Sequence, residues 1–142
     1  MNAKEYLSQA FRIDQRINSK LEQVIALRNL AEKTTASYST ERVDGTKQKS
    51  PMENAIVKIM DYENEINNDI DQLVDLKIEI HKVIKTVDDP DCQLLLELRY
   101  LTFKNWEEIA DSMGFTFQWV HSLHQKALRK INLKELIKVD KN

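Results

Sequence analysis

The chain has one cysteine, two glycines and two prolines among 142 residues, and only 7% of it is aromatic. With Cys92 alone, no disulfide can form within the chain, and a reducing compartment is the natural setting. So few turn formers leave little for an all-β fold to work with, and no stretch alternates apolar with polar residues as a half-buried strand would. No run approaches the ~20 apolar residues of a membrane helix. The opening MNAKEYLSQAFRID lacks the apolar core of a secretion signal, so a cytoplasmic protein is expected. What is plentiful is charge, at 31% of residues and nearly balanced between the signs, for a net −2. Together these features indicate an all-α protein.

The N-terminal two thirds carries two long helical patterns. From Ala3 to Lys33, Leu7, Ala10, Ile17, Leu21, Val24 and Ala31 recur at three-four spacing, broken by Asp14 and Arg28. From Pro51 to Val87 the stripe is stronger: Met52, Ile56, Ile59, Ile66, Ile70, Leu73, Ile80, Ile84 and Val87, with Glu63 and Lys77 as its polar members. Ser50 and Pro51 mark its start as cap and first helical residue. The polar stretch 34–50, with Gly45, must turn the chain. An antiparallel hairpin, a coiled coil of helices 3–33 and 51–87, is therefore expected over residues 1–88. In one register Arg28 meets Glu63 and Asp14 meets Lys77, so these four would fix the alignment unless each reaches water separately. Flanking apolar residues such as Phe11, Ile25, Met60 and Val74 widen both stripes beyond what one partner covers. A homodimer forming a four-helix bundle is expected, the alternative being cover by the C-terminal part.

Residues 89–142 form a second region. Asp89 and Pro90 start a short helix through Leu101. The run Asn105 to Leu128 then reads as a helix-turn-helix, with Ile109, Met113, Phe115, Val120 and Leu123 apolar, Ala110 small at the helix crossing and Gly114 at the turn. Asn105 with Glu108 forms a capping-box pair, and Thr116 caps the second helix. The motif core is thus Ile109, Ala110, Gly114, Val120 and Leu123.

Leu98 to Leu101, Trp106 to Ala110, Gly114 and Ala127 to Lys130 together resemble region 4 of sigma-70-type transcription factors. With a hairpin in front, the layout is similar to small regulators of phage and prophage genes of the ArpU and RinA type. The resemblance implies recognition of a promoter or operator in double-stranded DNA, with RNA polymerase as a further partner. In that family the second motif helix, here 117–130, enters the major groove. Carried onto this chain, the base-reading positions are Phe117, Gln118, His121, Ser122 and Gln125, and the phosphate contacts are Lys126, Arg129 and Lys130. Sigma factors usually place charged residues in the first turns of this helix, whereas here no formal charge precedes Lys126. Trp119 is expected to pack beneath the motif rather than lie on the sugar backbone. From Phe117 onward six Lys or Arg stand against Glu135 and Asp140, enough for weak, salt-sensitive DNA binding by a monomer.

Catalytic signals are missing. His121 and His124 lie on one helical face but have no third ligand placed to complete a metal site. Cys92 near a helix start would have a lowered pKa, yet no base accompanies it. No enzyme activity, metal or cofactor is expected. The competing reading is a protein-interaction module that binds RNA polymerase or another regulator through Phe117, Trp119 and their neighbours without reading DNA.

Overall fold

The computed structural model describes residues 1–38 and 51–131, with side chains of the first helix described as far as Lys33. Among these residues the chain is all-helical: α1 (Ala3–Tyr38), α2 (Pro51–Lys85), α3 (Pro90–Tyr100), α4 (Trp106–Met113) and α5 (Phe117–Lys130). The Ser50 cap, most of the expected turn and the basic tail beyond Ile131 lie outside the described residues. Helix α1 continues past Lys33, where the turn was expected to begin, because no glycine or proline intervenes before Gly45.

Local chemistry accounts for the helix ends. At α1 the Glu5 N–H donates to Asn2 Oδ1 at 2.8 Å and the Asn2 N–H to Glu5 Oε2 at 3.3 Å, a reciprocal box that satisfies two orphan donors. The end of α2 tightens, with the N–H groups of Thr86 and Val87 donating to Val83 and Ile84 carbonyls. The Gln93 amide reaches back to the Lys85 and Val87 carbonyls. Asp89 Oδ1 caps α3, accepting from the N–H groups of Asp91 and Cys92 at 2.9 and 3.3 Å.

The described residues divide into two compact units, one comprising Met1–Ile13 with those from Leu73 onward, the other those within Asp14–Gln72. In the first, Tyr6, Leu7 and Ala10 of α1, Ile80, Ile84 and Val87 at the end of α2, and the inner faces of α3, α4 and α5 share one core. Leu7, Ile84, Leu95, Leu96, Ile109 and Val120 are completely buried there. The division at residue 88 drawn from the sequence therefore separates side chains that pack together. Three short helices of 11, 8 and 14 residues bury too little among themselves, and the ends of the long helices complete their core.

In the second unit Ile17, Val24 and Ile66 are buried. Lys20 Nζ lies 2.7 Å from Asp69 Oδ2 and 3.5 Å from Glu65 Oε2, and Arg28 Nη2 lies 2.8 Å from Glu63 Oε1. These pairs step forward along α1 while stepping backward along α2. Much of this unit's apolar surface remains exposed, with Ile25 at 60% and Met60 at 57%. Asp14 accepts a hydrogen bond from Asn18, and Lys77 sits in the first unit with its ammonium 4.7 Å from the Phe103 ring centre.

Candidate nucleic-acid interface

Helices α4 and α5 meet through a turn built by three local devices. Asn105 Oδ1 accepts the Glu108 N–H at 2.8 Å, Thr116 Oγ1 accepts the Trp119 N–H at 3.1 Å, and Gly114 holds φ at +70°. Only the Asn105 half of the expected capping box is closed. A methyl group built on Gly114 would meet nothing within 4 Å, so the position needs glycine for its backbone rather than for space. The motif core residues Ile109, Ala110, Val120 and Leu123 are buried on the facing sides of the two helices.

The outward side of α5 presents Gln118, Ser122 and Gln125 to solvent. Phe117 is half exposed, its ring steeply inclined to that of His121 at 4.5 Å between centres, and the His121 ring also lies 5.2 Å from that of Trp106. His121 is therefore held by two aromatic contacts, with less freedom to reach a base than its sequence position implies. Trp119 does not pack beneath the motif: it is 54% exposed and meets the Phe115 ring edge-on at 6.3 Å between centres. The reason is geometric, since Val120 and Leu123 turn the apolar face of α5 inward and leave Trp119 on the flank.

The three cations differ. Lys126 Nζ is 3.3 Å from Asp89 Oδ2 and Lys130 Nζ is 2.9 Å from Asp88 Oδ1. The Lys130 hydrogen bond holds the Asp88 carboxyl below its ordinary pKa, and the Cys92 N–H followed by Lys126 does the same for Asp89. Arg129 is exposed with no carboxylate partner among the described residues, and it lines a shallow cleft with Gln125, Asn2 and Lys4.

His124 was missed as a structural residue. It is 3% exposed, and its Nε2 lies 2.7 Å from the Tyr100 hydroxyl in a buried hydrogen bond. Burial, reinforced by the positive charges of Lys4, Arg99 and His121, lowers its pKa to about 4, and burial raises that of Tyr100 to about 12. Both are neutral at pH 7. The signal was available in the sequence, because Val120, Leu123, His124 and Ala127 form one inward stripe of α5. Arg99 lies 4.5 Å from the Trp106 ring centre and donates to the Lys104 carbonyl at 3.1 Å.

Cys92 is fully buried and its thiol is pushed up in pKa, first by desolvation and then by the Asp89 charge. The lowered value expected from its place near a helix start is overturned by that burial. Among the described residues no group of three metal-ligating side chains converges and no helix is long and apolar enough to cross a membrane.

An all-helical chain with a polar outer face on its last described helix is the class these features define. Residues 32–132 match the model of the family described as "Protein of unknown function (DUF1492)", and the chain belongs to that family. No curated protein and no solved structure gives a significant match.

Proposed function

We propose that the chain is a DNA-binding transcription regulator of phage or prophage genes, acting in the bacterial cytoplasm, with α4 and α5 as a helix-turn-helix similar to region 4 of sigma-70-type factors. The observation that carries this reading is the α4–Gly114–α5 corner itself. It buries Ile109, Val120 and Leu123 while leaving Gln118, Ser122 and Gln125 on one outward face with Arg129 beyond them. A helix so displayed suits the major groove, where glutamine amides pair with adenine edges and cations take phosphates. The apolar surface left on Ile25, Met60 and their neighbours favours a homodimer through an antiparallel hairpin, which would present two motifs to two half-sites. RNA polymerase is a further candidate partner.

A gel-shift titration against genomic fragments around the gene, at two salt concentrations and with the solution mass measured alongside, tests the reading. A discrete complex that survives unlabelled competitor DNA is expected. No shift from a folded protein would refute it. The second reading, a protein-interaction module, draws on one feature: Phe117 and Trp119 stand 50% and 54% exposed at the start of α5. Under that reading Phe117→Ala would cost partner binding more than changes at Gln118 or Arg129.

A further inference from the structure

The two lysines best placed by sequence to hold phosphates already hold carboxylates. Lys126 and Lys130 lie one turn apart on α5, and their ammonium groups meet the consecutive residues Asp89 and Asp88 in the link between α2 and α3. Asp89 divides its oxygens between two tasks: Oδ1 takes the backbone N–H groups that start α3, and Oδ2 faces Lys126. Asp88 has no such capping task, and its side chain is 83% exposed. It accepts a hydrogen bond from Lys130.

We propose that Asp88 and Asp89 are an internal substitute for DNA phosphates, masking Lys126 and Lys130 so that, of the three expected phosphate contacts, Arg129 alone has no carboxylate partner among the described residues of the unbound protein. The proposal rests on the DNA-binding reading and adds a regulatory device to the same site. Exposed ion pairs of this kind contribute little to stability and are screened by salt, so they exchange readily for another anion. DNA phosphates must therefore compete with the two aspartates for the lysines, and anything that draws the link away from α5 adds two contacts at once. A masked lysine releases few counterions on binding because its charge is already neutralised within the protein.

The test measures binding of a labelled duplex by anisotropy over a range of salt, for the full chain and for the double variant Asp88→Asn, Asp89→Asn. Asparagine caps helices about as well as aspartate, so α3 should keep its start, and thermal unfolding checks this. The double variant should bind several-fold to ~10-fold tighter at low salt. The slope of log K against log salt should steepen by ~0.9 for each lysine released. Loss of two negative charges near DNA would also raise affinity nonspecifically, so the same pair of changes is made with Lys126→Met and Lys130→Met. There the gain should largely vanish, and Asp91→Asn, which removes from the same turn a charge with no cationic partner among the described residues, should give a much smaller gain. An equal gain without the lysines, or no gain in a protein whose parent binds DNA, overturns the masking. If neither parent nor variant binds any duplex at low salt, the DNA-binding reading itself fails and masking falls with it.

Discussion

The Tyr100 hydroxyl and His124 Nε2 share a hydrogen bond of 2.7 Å inside the core that joins α3 to α5. Trp106 closes over the imidazole at 4.6 Å between ring centres, so one neutral histidine touches all three short helices. Its folded pKa of about 4 lies below the unfolded value of 6.5. The unfolded chain then binds the extra proton, and stability must fall as pH drops from 6.5 toward 4 while staying level above 6.5. The loss should reach on the order of 3 kcal/mol at the bottom of that window. Urea unfolding at several pH values measures it, and His124→Gln, which can still bond to Tyr100 but cannot charge, should remove most of the slope between pH 6.5 and 4. An unchanged slope would assign the acid sensitivity to other groups.

Gly114 makes a separate prediction about the corner between α4 and α5. Since space is open around its α-carbon, Gly114→Ala should be destabilising only through the left-handed backbone, by about 1–2 kcal/mol. Gly114→Asn should cost less, because asparagine tolerates that conformation better. Equal losses for both, read from denaturant midpoints, would show that packing rather than backbone sets the requirement.

The devices at this corner were legible in the sequence because each is local: Asn105 to Glu108, Thr116 to Trp119, and one glycine between two apolar runs. The core was legible only in part. Leu7 and Ala10 announced a seam with a second long helix, but nothing in their spacing says that they also pack with α3 to α5, about ninety residues away in sequence. Phe103 illustrates the same limit. It holds φ at +60°, unusual for a bulky residue, and its ring is met by Phe11 at 5.7 Å and by the Lys77 ammonium. Those contacts come from two distant helices, and no pattern around Phe103 foretells them. His124 is the opposite case: its place on the inward stripe is readable from its spacing with Val120, Leu123 and Ala127, whereas the His121–His124 spacing alone points equally to a metal pair.

The ion pairs of the second unit should differ in weight. Lys20 and Asp69 are largely shielded, with 24% and 14% of their side chains exposed, and the hydrogen bond that Lys20 donates to Asp69 raises the Lys20 pKa. Arg28 and Glu63 keep 61% and 48% exposed. Asp69→Asn should therefore lower the melting temperature measurably, whereas Glu63→Gln should leave it nearly unchanged, since exposed pairs contribute little. Added salt should narrow the difference between parent and Asp69→Asn only slightly, because shielded pairs are less screened. A larger loss from Glu63→Gln would mean that Arg28 anchors something beyond this pair.

The three cations of α5 should also separate in their response to salt if the chain reads DNA. Arg129 is free of carboxylates among the described residues, so Arg129→Ala should reduce the slope of log K against log salt by about 1 and weaken all duplexes alike. Lys126→Ala should reduce it by less, because that charge is already matched by Asp89. Gln118→Ala should act differently from both. It leaves the salt slope in place and lowers the preference for a specific site, by about 1–3 kcal/mol if the amide makes a bidentate base contact. His121→Ala is a poor probe of base reading, since His121 packs against Phe117 and Trp106 and its loss disturbs the corner as well as any contact. Competition binding with specific and scrambled duplexes distinguishes these effects. Should Gln118→Ala and Arg129→Ala both leave DNA binding intact, the outward face of α5 is not the surface that meets DNA, and Phe117 and Trp119 become the residues to test against a protein partner.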